Sequence, residues 1–197
     1  PCFSLWGWGI PGRGLKKRGT TRDFVWWTFW QSVSVFPGGV KTASAGPGEW
    51  WGAKTLYLLK PLTFMNLSGE GLLAFFAHHG CAFEELIVVH DELDFPPGVV
   101  RIKVGGGVAG HRGLQSIVEA LGREDFIRVR VGIGKPERRE LVVDHVLGVP
   151  GKEESAILEA AEKRAAEAVL CIVEWGVQRA MNVFNAREEE NGQKEAC

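Results

Sequence analysis

Three short segments carry the side chains that could do chemistry, and the first two follow apolar runs of strand length. In the first, Asn66 offers an amide that could act on a ligand or could cap the helix that follows. In the second, residues 90–94 (HDELD) place three carboxylates within four residues, which repel one another unless a cation or hydrogen bonds offset them. One carboxylate could orient a catalytic imidazole, the set could bind a divalent metal, or the segment could be a solvated acidic turn.

The third segment, residues 105–113 (GGGVAGHRG), is a glycine-rich connection between a strand and a helix. Such loops bring backbone N–H groups close to anions, although this one could also be only a flexible link. It lacks the spacings of dinucleotide- and nucleotide-binding loops, so nucleotide binding is not supported. Flanking basic side chains could bind phosphate, although exposed strand faces often carry such residues without a ligand: Lys103, Arg128, Arg130 and Lys135.

Apolar periodicity predicts the elements that must hold these segments. Apolar and alternating runs predict strands at 55–59, 85–90, 99–104 and 126–133. Helical spacing with glycine stops predicts helices at 70–79, 113–121 and 153–177. Strands that alternate with helices around one apolar sheet indicate the α/β class in a single layered domain. Ligands of such sheets bind beyond the carboxyl ends of the strands, where Asn66 and residues 90–94 lie.

Composition places the chain among ordinary soluble globular proteins. Its 197 residues suit one domain or two small ones, and its net charge of −1 excludes a global basic field for a nucleic acid. The four cysteines, Cys2, Cys81, Cys171 and Cys197, lack metal-type spacing, and we expect reduced thiols in a cytosolic protein. No apolar run approaches the roughly 18 residues of a membrane span, and no signal peptide is evident.

An abrupt change of composition separates the first part of the chain from the rest. Seven of the eight tryptophans lie in the first 51 residues. Only two of the 24 acidic residues lie there, against six basic ones. Domains do not usually meet in this way without a linker, so this segment needs an explanation of its own.

Six motifs, in this order, resemble bacterial peptidyl-tRNA hydrolases: KPLTFMNLSG, HDELDFPPG, RIKVGGGVAGHRGLQSI, FIRVRVGIGKP, VVDHVLG and AMNVFN. The resemblance spans about residues 54–187 and leaves 188–197 as a frayed tail. It implies one α/β domain with a twisted mixed β-sheet flanked by helices, acting as a cytoplasmic monomer without a metal or other cofactor and without a membrane. Members hydrolyse the ester between a peptide and the ribose at the 3′ end of tRNA, so the implied partner is peptidyl-tRNA.

The resemblance also implies roles for individual residues. In the family a histidine is the general base on water, and an aspartate, here Asp91, holds its imidazole in the productive tautomer. Asparagine amides, here Asn66, position the substrate or stabilise the developing oxyanion. The substrate- and tRNA-binding positions implied are Phe64, Met65, Asn66, Lys103, Gly110, His111, Arg112 and Arg130. Two positions depart from the family pattern, because many members have Asn in place of Arg112 and His in place of Val108.

The general base itself is missing from the chain. The family opens with VGLGNPG followed by TRHN, whose histidine is catalytic, but this chain has LWGWGIPG at 5–12 and TTRDFV at 20–25. None of the five histidines lies in that region: His78, His79, His90, His111 and His145. Because tryptophan has the single codon TGG and every glycine codon begins with GG, a reading frame displaced by one base can be tested against both motifs.

The displaced frame permits VGLGNPG across Leu5 to Gly12, with both central glycines forced, and TRHN at the family's spacing. The sequence therefore predicts that residues 1–53 are an aberrant, frame-shifted segment, with the normal frame resuming between about 32 and 54. We expect irregular structure there, with a strand only where Ser4 to Trp8 happens to be apolar. The polypeptide as written should then lack peptidyl-tRNA hydrolase activity.

Two alternatives stay open at this point. The first is a non-catalytic RNA-binding relative that kept the substrate channel and lost the base. The second is a metal-dependent hydrolase built on His90, Asp91, Glu92 and Asp94.

Overall fold

Among the residues that the structure describes, six strands form one mixed sheet with helices on both sides. The computed structural model describes residues 2–6, 40–43, 55–59, 63–79, 83, 86–136, 138–148 and 150–186. The strands are β1 Cys2–Trp6, β2 Val40–Ala43, β3 Thr55–Leu59, β4 Leu86–Glu92, β5 Val100–Val104 and β6 Ile127–Gly132. The helices are α1 Ser68–His79, α2 Arg112–Leu121, α3 Val142–Leu147, α4 Lys152–Trp175 and α5 Val177–Phe184, with 3₁₀ turns at Met65–Leu67 and Arg139–Leu141.

The strand order is β2-β3-β1-β4-β6-β5. The four inner strands run parallel, and β2 and β5 pair antiparallel at the two edges. The central strand β4 has an almost continuous apolar run because both of its faces are covered. Its carboxyl end, residues 90–92, therefore emerges from the middle of the sheet, next to β6.

Two apolar clusters hold the helices to the sheet. On one face, α4 presents alanines and branched residues at helical spacing, which pack with α5 against β4, β5 and β6. On the other face, α1 and α2 pack against β3 and β4 around Leu72, Leu86 and Ile117. The carboxyl end of β4 thus lies beside α2, the helix that follows the glycine-rich loop.

The predicted α/β class and mixed sheet are confirmed, and the helix predicted at 153–177 is observed as α4, Lys152–Trp175. As predicted, this helix ends at Gly176, where φ is +85° and the glycine has no side chain to strain. The short helix α5 that follows was not predicted. The short helix α3 within the VVDHVLG motif was not predicted. No helix among the described residues is long and apolar enough to cross a membrane.

The segment predicted to be aberrant contributes two described strands. β1 overlaps the Ser4 to Trp8 stretch where a strand was expected, and it pairs in parallel with both β3 and β4. β2 was not predicted, and it pairs antiparallel with β3. The other residues of 1–53 and the predicted tail 188–197 lie outside the described residues. The boundaries at 53 and 187 remain predictions.

Candidate active site

A histidine–aspartate pair joins the carboxyl end of β4 to the start of α2. His111 is the N-cap of α2, and its Nδ1 accepts hydrogen bonds from the backbone N–H groups of Gly113 and Leu114 at 3.1 and 3.2 Å. Its Nε2 lies 2.8 Å from Oδ1 of Asp91. Because Nδ1 is an acceptor, the proton sits on Nε2, which donates to the carboxylate. The resemblance named both residues, and the structure brings them together.

The Asp91 carboxyl group is held in its charged form. Burial raises its pKa, but the hydrogen bond from His111 and the electrostatic effect of the neighbouring His111 and His90 rings lower it by more. Its net pKa therefore lies below the ordinary value. Asp91 is an anion at neutral pH, with an N–H donor already directed at it.

His90 lies behind this pair, with its side chain buried. Its Nδ1 donates to the backbone carbonyl oxygen of Asp91 at 2.7 Å, and its ring meets the His111 ring edge to face with 5.2 Å between centroids. Its Nε2 is buried without a hydrogen-bond partner among the described residues. Burial, followed by the charge of His111, lowers the pKa of His90 to about 4. His90 is therefore a neutral imidazole at neutral pH.

The 3₁₀ turn that carries Asn66 and the first turn of α1 that follows it both pack on α2. The backbone N–H of Gly69 donates to Ser116 Oγ at 2.9 Å, and a Cβ on Gly69 would lie 2.1 Å from the Ser116 carbonyl oxygen. Met65 Sδ lies so close to Gly113 that a Cβ there would be 2.5 Å from the sulfur. The turn and the His111 cap thus share one helix, which places Asn66 on the same side of the sheet as the Asp91–His111 pair.

Asn66 lies inside the turn and does not act as the cap of α1. Its side chain is exposed and makes no hydrogen bond to another described residue. The neighbouring Phe64 is 63% exposed, although it is a large apolar residue. An amide and an aromatic ring with exposed surface, on a turn that packs on the helix capped by His111, are what a ligand site requires.

Arg128 anchors the glycine-rich loop instead of facing solvent. Its guanidinium is buried and donates to the carbonyl oxygens of Gly106 and Gly107, the latter at 2.7 Å. It also donates to Glu124 O at 3.3 Å and lies over the Phe126 ring. The suggestion that Arg128 supplies a phosphate patch is therefore wrong, because the side chain is buried and both of its Nη atoms donate to backbone carbonyl oxygens.

The other flanking cations differ in whether a described carboxylate pairs with them. Arg130 forms an ion pair with Glu92, with Nη2 at 2.7 Å from Oε2, and lies over the Phe95 ring. Lys135 pairs with Asp94 at 3.4 Å. Lys103 is exposed, lies over Gly106, and pairs with no carboxylate among the described residues. Arg112 is likewise exposed at the first turn of α2.

These ion pairs disperse the acidic segment that could have bound a metal. Glu92 faces Arg130, Asp94 faces Lys135, and Asp91 faces His111. Within the described residues, no three histidine, cysteine, aspartate or glutamate side chains gather as metal ligands would.

Comparison with known proteins gives the family. A sequence model described as peptidyl-tRNA hydrolase matches residues 32–193. The chain belongs to the peptidyl-tRNA hydrolase family. The match begins within the interval from about 32 to 54 in which we expect the normal reading frame to resume.

Individual relatives agree with this membership. A peptidyl-tRNA hydrolase of Caldanaerobacter subterraneus is 48% identical over 140 residues, which cover 71% of this chain and 75% of the relative. One from Syntrophomonas wolfei is 45% identical over 130 residues, covering 66% and 70%. The crystal structure of the Acinetobacter baumannii peptidyl-tRNA hydrolase superposes with a TM-score of 0.76 at 32% identity, covering 93% of this chain and 94% of that one. The predicted family is confirmed.

Sequence reasoning missed three of the residues that build the site. It noted His90 only as a possible metal ligand and Arg128 only as a possible phosphate ligand. Ser116 was not noted at all, although a hydroxyl on the apolar face of a helix was a signal for a buried hydrogen bond.

Proposed function

We propose that this chain carries the peptidyl-tRNA site of its family and that, as written, it hydrolyses the substrate only at a background rate. Hydrolysis of the ester requires a base that takes a proton from water as the water oxygen attacks the carbonyl carbon. The ribose oxygen then leaves with the electron pair and takes up a proton. The observation that carries the proposal is the lack of any histidine where the family has TRHN.

The described histidines near the site offer no substitute for that base. His111 uses Nδ1 to cap α2 and Nε2 to hold Asp91, so neither nitrogen has a free lone pair for water. His90 has a free Nε2, but this atom is buried, and the pKa of about 4 makes it a weak base. General-base catalysis needs an accessible nitrogen with a pKa near the working pH.

The binding half of the site has the features that the family role needs. Phe64 and Asn66 have exposed side chains in the turn that packs, through Met65, on the start of α2, and they suit the peptide and ester end of the substrate. Lys103 is an exposed cation beside the glycine-rich loop and suits a tRNA phosphate. We further propose a monomer in the cytoplasm. The free thiol of Cys171 accords with a reducing compartment.

The catalytic test compares the chain as written with a variant in which the first part of the gene is re-encoded in the displaced frame. The substrate is an N-acetylated aminoacyl-tRNA, and release of the acetylated amino acid is measured. The restored histidine should raise the rate about 10²- to 10⁴-fold, the usual contribution of a positioned base. Asp91→Asn in the restored chain should remove most of that gain. Equal rates for the written and restored chains would refute the proposal.

The binding test uses an acceptor-stem RNA and fluorescence anisotropy on the chain as written. Lys103→Gln should weaken binding and make it less sensitive to salt, because one phosphate contact and its released counterion are lost. Lys135→Gln is the matched control, since it also removes an exposed lysine, but one that is paired with Asp94. Equal effects of the two substitutions would contradict the assignment of Lys103.

A non-catalytic RNA-binding relative is the second candidate, and the free cation Lys103 is the observation that favours it. This candidate makes the same binding prediction. It differs in requiring that the gene is in frame through the segment that encodes residues 1–53. Resequencing that part of the gene decides between the two candidates.

A further inference from the structure

His90 is a buried polar residue for which the proposed hydrolysis has no use. It lies on β4 with 6% of its surface exposed, and its nearest partners on β4 and α2 are Asp91 and His111. We infer that His90 is a positioning residue that holds the hydrogen bond between His111 and Asp91. The inference deepens the proposed function and rests on it, because it concerns the carboxylate assigned to that site.

The His90 ring touches both members of the pair through different contacts. Its Nδ1–H donates to the backbone carbonyl oxygen of Asp91 at 2.7 Å, which fixes the peptide group that carries the carboxylate side chain. Its ring edge packs against the His111 ring at 76° between planes, which limits rotation of that imidazole. His111 must keep one orientation to satisfy α2 with Nδ1 and Asp91 with Nε2 at once. The His90 ring, packed on one side of the His111 ring, favours that orientation.

A simple role in core packing does not account for this residue. The residues that precede it on the same face of β4, Leu86 and Val88, are apolar and fill the cluster under α1 and α2. An apolar residue at position 90 would fill space equally well and would avoid burying an unpartnered Nε2, which is costly. The polar ring therefore has a role other than packing, which is the hydrogen bond that its Nδ1–H donates to the Asp91 carbonyl oxygen.

Charge supports the same role. His90 is neutral at neutral pH because burial lowers its pKa to about 4. A neutral ring adds no positive charge beside Asp91 and therefore does not compete with the His111 N–H for the carboxylate. A lysine or arginine in this place would do so.

The test is ¹H–¹⁵N NMR of the histidine side chains, with the His111 signal assigned by its loss in His111→Gln. In the unmodified chain, His111 should show a proton on Nε2 and a bare Nδ1. His90→Phe keeps the ring and removes the donor, whereas His90→Asn keeps a donor and removes the ring. Each should speed exchange of the His111 Nε2 proton up to about tenfold, as expected for the loss of one supporting contact. His78→Gln, in an exposed position on α1, is the control and should leave that rate unchanged.

An exchange rate within twofold of the unmodified chain in both His90 variants would overturn the inference. His90→Phe nearly conserves volume, and a cooperative melting transition in each sample shows that the chain is folded. RNA binding by the unmodified chain tests the proposed function, whereas the His111 exchange rate is measured on samples without RNA. A failure of the proposed function and a failure of the His90 inference are therefore distinguishable.

Discussion

Acidification from pH 7 to pH 5 should destabilise the fold through His90. Its ordinary pKa is 6.5, and the folded protein lowers it to about 4 because the ring is buried beside His111. The unfolded chain therefore takes up this proton at a higher pH than the folded chain. Stability is complete above 6.5, falls as the pH drops below that value, and levels off near 4. Over the 1.5 units between 6.5 and 5, the loss is about 2 kcal/mol, at about 1.4 kcal/mol per unit.

The assay is urea unfolding at a series of pH values, followed by circular dichroism. His90→Phe should flatten the curve between pH 6.5 and 5, whereas His78→Gln should follow the unmodified chain. The groups around His90 are Asp91, Glu92, His111 and, opposite on β6, Arg130. The depressed pKa of Asp91 lies below this window, so its own loss of stability begins only at lower pH. A curve in His90→Phe as steep as that of the unmodified chain would refute the reasoning.

Three further substitutions test the packing around the site by the midpoint of urea unfolding at constant m-value. Gly69→Ala should lower the free energy of unfolding by about 3 kcal/mol, because its Cβ would lie 2.1 Å from the Ser116 carbonyl oxygen and force α1 away from α2. A decrease of less than about 1 kcal/mol would contradict this. Ala109→Gly should raise the free energy of unfolding by about 1 kcal/mol, since Ala109 has a φ of 47°, a left-handed conformation that favours glycine. A decrease in stability would contradict this. Asn185→Ala should lower the free energy of unfolding by about 2 kcal/mol and promote aggregation. The Asn185 amide makes two hydrogen bonds to the backbone of Ile102 on the edge strand β5, at 2.7 and 2.8 Å, and both would be lost. An unchanged midpoint of urea unfolding would contradict this.

The sequence was sufficient for those parts of the fold whose signals are local. The apolar run of β4 and the alternation of β6 predicted both strands, because each pattern is typical of a strand. The alternation did not reveal that Arg128 on β6 is buried. The end of α4 at Gly176 was predicted, because a glycine is typical of the residue that follows a helix. The short helix α5 was not predicted, because its packing against β5 depends on residues remote in the chain.

The sequence predicted which residues belong to the site, but it did not predict which of them contact one another. The motifs pointed to Asp91 and His111, which lie 20 residues apart, and their hydrogen bond depends on the approach of α2 to β4. Basic residues at alternate positions on two strands looked equivalent in sequence. Their environments separate them, because burial of Arg128 and the ion pair of Arg130 depend on loops and strands remote in the chain.

The like charges on β5 and β6 explain why one lysine stands out. The antiparallel register places Arg101 opposite Arg130 and Lys103 opposite Arg128, and like charges directly opposite each other are destabilising. Three of these four cations interact with carbonyl oxygens or a carboxylate that offset their charge. Arg101 donates to carbonyl oxygens at the end of α5, where the helix dipole is negative. Arg128 donates to the glycine-rich loop, and Arg130 pairs with Glu92. Lys103 alone among these four keeps its charge for a ligand, so a phosphate contact on this face should depend on Lys103 more than on Arg130.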